Sequence, residues 1–229
     1  MQIPTPTPVY ELEFNIVLLR GFIYQTEEAI QNNIDKYLST GPDSFTIEEH
    51  PEDNIHIMLN HYMGIDDQSF DLDKTFKIHY PSIMRRSAFL TIFGLLEHEM
   101  ENFCKIYSKE NKININLSDL KGSGFERIAL FLKKIVGLTQ STNYPELKKI
   151  MKLRNSCAHN DARFVANDGQ PIKEIDDLIN KYPALLEKDV EQVLFKGDVL
   201  LTFLKVFEEY IKEIEAVITP SPKTKSLFQ

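Results

Sequence analysis

The sequence predicts an all-α protein, a bundle of four to five main helices with small irregular or hairpin insertions. Three observations carry this. Apolar residues recur at helical spacing over several long segments. Those segments end on glycine or proline signals. Strand-like alternation is confined to a few short runs. At 229 residues, 42% of them hydrophobic, the chain is sized for one domain with a real core. The expected organisation is an extended arm over 1–10, a single helical domain over 11–218 with an acidic insertion at about 43–73, and a flexible tail over 219–229.

The arm rests on the proline- and threonine-rich start, MQIPTPTPVY. Leu12, Ile16, Leu19, Ile23, Ile30 and Ile34 then predict a first helix over Glu11 to Leu38, stopped at Gly41-Pro42. Between Asp43 and Asp73 stand nine acids and no lysine or arginine. The alternation of Ile55, Ile57 and Leu59 predicts one short strand there. His50, His56 and His61 among these acids invite a metal reading, but their spacing fits no ligand motif, and a solvated acidic insertion is favoured. Such a segment beside a basic site could also shield it from non-cognate RNA.

A second helix is predicted over Pro81 to Asn111. Ile83, Phe89, Leu90, Phe93, Leu96, Met100, Phe103 and Tyr107 form its apolar stripe, and Arg85, Arg86, Glu97, His98, Glu101 and Asn102 stand on the other side. Ser123-Gly124-Phe125-Glu126 has the pattern of a capping box opening a third helix to about Gly137. Asn143-Tyr144-Pro145-Glu146 is the pattern of a second, opening a fourth helix over Pro145 to His159. A small hairpin around Ala166 to Gln170, a short helix over Glu174 to Tyr182 and a strand over Val190 to Phe195 follow. Asp198 is the expected N-cap of a last helix to about Ile218, whose broad apolar face packs on the other helices or partly on a second subunit.

The fourth helix closes on Lys152-Leu153-Arg154-Asn155-Ser156-Cys157-Ala158-His159. Arg154 is a permanent cation with a planar fork of donors suited to phosphate. Histidine exchanges protons near neutrality when its environment leaves it unperturbed, which makes His159 a candidate general acid/base. Asn155 and His159, four apart, share a helix face. Arg154 and His159, five apart, diverge. They reach one ligand through the arginine's length, a frayed helix end or a second copy of the chain.

The surroundings of this motif are basic. Residues 121–163 carry nine cations against three acids, a net of +6, which leaves −14 for the rest of a chain of formal charge −8. An acidic total argues against coating nucleic acid by bulk charge, yet the local balance suits a phosphodiester. Lys148, Lys149, Lys152 and Arg163 are the candidate RNA-binding cations.

Arg-Asn-x-x-x-His at a helix end, in a helical context, resembles the HEPN superfamily (higher eukaryotes and prokaryotes nucleotide-binding domains), over roughly Pro81 to Ile218. The resemblance implies a HEPN-like helical bundle and a metal-independent endoribonuclease of bacterial toxin–antitoxin or phage-defence systems. Arg154, Asn155 and His159 would be its catalytic residues. It further implies a homodimer in which two motif helices meet, an RNA substrate, no cofactor and no metal, and a cognate antitoxin protein, often nucleotidyltransferase-like. HEPN proteins often carry polar residues on the helix facing the motif. Glu97 and Glu101 are the candidates here, to orient His159 or pair with Arg154, although each also fits a solvated face. The long first helix and the acidic insertion depart from the family pattern.

Two further readings stand beside the enzyme. One is a HEPN-like dimer that binds RNA, a nucleotide or a partner protein without cutting. In the other, Arg154 merely pairs with Glu97 or Glu101, His159 caps the helix end, and the two never face a shared cavity. Cys104 and Cys157 lack a paired framework and are expected to be reduced and mostly buried, as in a cytoplasmic protein. No run of eighteen apolar residues calls for a membrane span. Gly-rich phosphate loops, GxSxG, HExxH, zinc ribbons and repeats are all missing from the sequence.

Overall fold

The computed structural model describes residues 9–53, 55–166 and 168–219, without the side chains of residues 10, 47–51 and 55–57. Helix α1 (Tyr10–Thr40) is long because its apolar residues keep one register. Leu12, Ile16, Leu19, Ile23 and Ile30 are all buried. It stops at Gly41, whose φ of 67° lies in the left-handed region and whose N–H bonds the Tyr37 carbonyl at 2.9 Å. Two charge pairs fasten α1 to helices later in the chain. Arg20 reaches Glu208 at 2.9 Å, and Arg85 grips Glu27 with Nε at 2.9 Å and Nη2 at 2.6 Å.

The acidic segment corrects the all-α expectation. It folds as an antiparallel sheet of β1 (Asp43–His50), β2 (Ile55–Tyr62) and β3 (Ile65–Asp66), ordered β1-β2-β3. Phe45 pairs with Leu59 and Ile47 with Ile57, with a 3₁₀ turn over Pro51–Asp53 at the tip. The expected single strand is thus one of three. The sheet seats on a small aromatic cluster, in which Tyr37 stacks on Phe76 at 5.1 Å and meets Tyr62 edge-on at 5.0 Å. The Tyr37 hydroxyl donates to Asp73 at 2.8 Å.

A short α2 (Leu72–Lys74), capped by the Asp71 carboxylate, runs through a π turn (Thr75–His79) into α3 (Tyr80–Glu110). Phe89, Phe93, Leu96, Met100 and Phe103 place α3 in the centre of the main core. Ile83, expected in that stripe, is 45% exposed, whereas its neighbours Pro81 and Ser82 are buried. Then come α4 (Gly124–Phe131), continued by a π turn (Leu132–Val136) that ends at Gly137 with φ 97°, and α5 (Tyr144–His159). After α6 (Lys173–Lys181), β4 (Leu186–Asp189) and β5 (Gln192–Phe195) form an antiparallel hairpin, and α7 (Val199–Ile218) closes the fold. Among the described residues, the loop before α6 closes on itself at the expected hairpin through the antiparallel Val165–Pro171 bridge, with the Ala166 N–H bonded to the Gln170 carbonyl and the Ile172 N–H to the Phe164 carbonyl, and a second bridge joins Arg163 to Gln192.

The result is mostly helical, 66% helix and 11% strand, with small sheets added. Helices α3, α5 and α7 supply most of the core, and the broad face of α7 is buried within the chain. The predicted helix starts are right, but their predicted caps are not. Ser123, Asn143 and Asp198 make no side-chain capping bond. Asn143 instead donates to Glu213 on α7 at 2.8 Å, and Asp198 enters its helix in a left-handed conformation, φ 64°. The expected arm over 1–10 lies outside the described residues except for Val9 and the backbone of Tyr10, and the expected tail over 219–229 except for Thr219. No described helix is long and apolar enough to cross a membrane.

Candidate functional site

Helix α5 buries Leu147, Ile150, Met151, Leu153 and Ser156, which fixes its rotation and leaves Asn155 and His159 exposed one turn apart. The helix stays regular through His159, so no frayed end is needed to bring the motif together. The reach of Arg154 does it. Its side chain turns toward α3, lies over the Phe93 ring at 5.2 Å, and donates from Nη2 to Glu97 at 3.3 Å and from Nη1 to Asn155 Oδ1 at 3.1 Å.

Arg154, Asn155 and His159 therefore line one hollow of about 450 Å³, together with Glu97, Lys152 and the start of α4. The reading in which arginine and histidine never share a cavity does not survive this. The Arg154–Glu97 pair it anticipated does exist, with side chains 26% and 19% exposed. Arg154 Nε is buried without a partner among the described residues. One donor of the guanidinium fork is thus unspent, which leaves it short of satisfied.

Glu97 is held in turn by the start of α4. Gly124 has φ 49°, and a Cβ there would collide with Glu97 Oε1, so glycine lets the carboxylate lie against the first residue of α4. Glu101, the other candidate, lies one turn further along α3 and lines a separate hollow with Cys104, Lys105 and Arg127. It does not line the motif hollow. The Gly122-Ser123-Gly124 run was the available signal for this close approach, since both glycines take positive φ.

The segment after the motif is stapled back onto the bundle. Ser156 Oγ donates to the Arg163 carbonyl at 2.5 Å, and Arg86 donates to both the carbonyl and the carboxylate of Asp161 at 3.0 Å. Asp161 and Ala162 both have positive φ, 48° and 58°. These contacts and the two left-handed residues turn the chain sharply after the end of α5.

The candidate RNA-binding cations differ in their partners. Lys152 lines the hollow and Lys148 is exposed, whereas Lys149 pairs with Asp177 at 3.2 Å and Arg163 pairs with Glu191. Tertiary neighbours, silent in local charge counts, neutralise half of the set. Among the described residues, none of the acidic sheet lines this hollow.

Cys157 and Cys104 are free. Burial pushes both thiols up to about 12, so neither supplies a thiolate near neutrality. Among the described residues no group of three His, Cys, Asp or Glu is placed to hold a metal ion. His61 packs its ring beside Phe45 at 5.6 Å, and the side chains of His50 and His56 lie outside the described set.

Fold and site together define a mostly helical protein with a helix-end Arg-Asn-His hollow. Comparison with protein-family models, with characterised proteins and with solved structures found no match.

Proposed function

We propose that this protein is a metal-independent endoribonuclease of the HEPN kind, acting as a cytoplasmic toxin or phage-defence effector. The observation that carries the reading is the single hollow shared by Arg154, Asn155 and His159, with Lys152 at its side. RNA brings its own nucleophile. The 2′-hydroxyl oxygen attacks phosphorus, the P–O5′ bond breaks, the 2′-proton departs and the 5′-oxygen gains one. The products are a 2′,3′-cyclic phosphate and a free 5′-hydroxyl. His159 handles one of these protons. Arg154 stabilises the charge on the phosphorane, taking the phosphate in exchange for Glu97. Asn155, already bonded to Arg154, orients the guanidinium. A homodimer with two motif helices facing each other would pool two histidines, one for each proton, and a cognate antitoxin would restrain the pair.

A second reading is favoured by one observation. Arg154 is already engaged by Glu97 and Asn155, and Lys149 and Arg163 are engaged elsewhere. That arrangement also suits a HEPN-like dimer that binds RNA, a nucleotide or a protein without cutting. The two are separated by incubating RNA with purified protein in EDTA, beside the His159→Ala variant. Cutting that the variant loses supports the ribonuclease. RNA binding without cutting by either protein supports the binding module.

A further inference from the structure

A separate cavity of about 370 Å³ opens between α1, the β2–β3 turn and the start of α3. Its walls are aromatic: Phe76 stands edge-on to Tyr62 at 4.8 Å and to Tyr80 at 5.1 Å. Met63 and Met84 line it as well. Met63 sits there against its backbone preference. With Gly64 it makes the two-residue turn from β2 to β3, both at positive φ, 51° and 83°, where the first position favours asparagine or glycine. Its side chain is 76% exposed, so no burial within the chain offsets that strain. One end of the cavity is polar. Among the described residues Lys36 is the only charged side chain lining it, and no ion pair engages it. The positions three and four away on α1 are Asn32, Asn33, Ser39 and Thr40, none of them an acid. Asn33 also lines the cavity, and its amide nitrogen meets only the Met84 sulfur, a weak acceptor, at 3.9 Å.

We propose that this cavity binds a small aromatic monocarboxylate, its rings among Tyr62, Phe76, Tyr80 and the two thioethers, its carboxylate on Lys36 and Asn33. The lining selects that chemistry. Ring–ring and sulfur–ring contacts add to the burial of apolar area, so an aromatic body is preferred over an alkyl chain of equal area. One cation and one amide match a single negative charge. A phosphate or a second carboxylate would stand uncompensated beside a segment, Asp43 to Asp73, that holds nine acids and no lysine or arginine. The volume lies at the lower end of small-molecule sites, about 300–1,000 Å³, which suits a compound of one or two rings. Exposed Met63, flexible and polarisable, is placed to fold over such a ring from the mouth.

The cavity shares no lining residue with the motif hollow, so this site does not depend on the ribonuclease reading. The test is NMR of the full chain with methyl-labelled methionine, which gives six reporters. With 2-naphthoate as the probe, the Met63 and Met84 methyls are expected to move by ring current and to saturate with a Kd of about 0.1–1 mM. Met100 and Met151, buried in the main core, should stay in place. Lys36→Gln should weaken 2-naphthoate about 3–5-fold and leave the neutral 2-naphthamide unchanged. Lys36 is exposed, and unmoved Met100 and Met151 signals in the variant will show that its fold is intact. Decanoate, an acid with an alkyl body, should bind about 5-fold more weakly than 2-naphthoate. No shift at Met63 and Met84, an affinity for 2-naphthoate indifferent to Lys36→Gln, an equal loss for 2-naphthamide, or decanoate binding as tightly would each overturn the proposal.

Discussion

Replacing Gly124 by alanine perturbs the motif hollow through a residue that touches no ligand. The new Cβ does two things. It puts a non-glycine residue at φ 49°, in the left-handed region, which costs about 1 kcal/mol. It also drives the Glu97 carboxylate off the first residue of α4 and away from Arg154, to which it is bonded at 3.3 Å. Both side chains of that pair are partly exposed, so after solvent screening its loss is worth about 1 kcal/mol, and the carboxylate, at the end of a flexible side chain, relieves the collision itself by moving. The total, about 2 kcal/mol, corresponds to a fall of about 4–8 °C in melting temperature for a chain this long. The assay is a double-mutant cycle with Glu97→Ala, read by urea or thermal unfolding. With the carboxylate gone, Gly124→Ala should cost only the backbone strain, leaving a coupling of about 1 kcal/mol. Costs that simply add would mean that Glu97 does not rest on Gly124, and the account of how Arg154 is held would be wrong.

Other outcomes follow from the same contacts. Ser156→Ala removes the bond to the Arg163 carbonyl and leaves that oxygen unpaired. The expected cost is about 1–2 kcal/mol, with faster hydrogen exchange over 160–163, and unchanged exchange there would contradict the staple. At Glu213, burial pushes the carboxyl pKa up, but hydrogen bonds from Ser141, from the Thr142 hydroxyl and amide, and from Asn143 outweigh it and hold the pKa below its usual 4.5. A depressed folded pKa gives stability that is present above 4.5 and lost as pH falls through the folded value. Glu213→Gln should therefore cost about 1 kcal/mol near neutrality, a deficit that shrinks on acidification below that point; a pH-independent deficit would refute it. The Cys104 and Cys157 thiols, both pushed up to about 12, should react with a chromogenic disulfide at neutral pH only once the protein is unfolded. Rapid labelling of the native protein would show that Cys157 is less enclosed than described.

Helix positions were legible because local chemistry writes them. Gly41 and Gly137 mark the ends of α1 and of the α4 π turn, and Pro145 marks the start of α5. Strand β1 was hidden because its apolar residues, Phe45 and Ile47, are scattered among acids, and its partner rather than its own composition stabilises it. Strand β4, Leu-Glu-Lys-Asp, carries no strand signal at all and exists through its pairing with β5. The motif residues were readable as a set, and so was Glu97. The divergence of Arg154 from His159 could not be resolved without knowing that Phe93 and Glu97 draw the guanidinium across. Pairing of Lys149 with Asp177 and of Arg163 with Glu191 joins residues distant in sequence, which no local charge count can report.

The most direct test of the proposed chemistry uses an RNA that the protein cuts in EDTA, resynthesised with a single 2′-deoxy nucleotide 5′ of the scissile phosphate. Cutting at that bond is expected to stop while neighbouring sites are still cut, and the unmodified RNA is expected to yield 2′,3′-cyclic phosphate ends. Continued cutting at the deoxy position would mean that water, not the 2′-hydroxyl, is the nucleophile, and the roles given to His159 and Arg154 would fall with it.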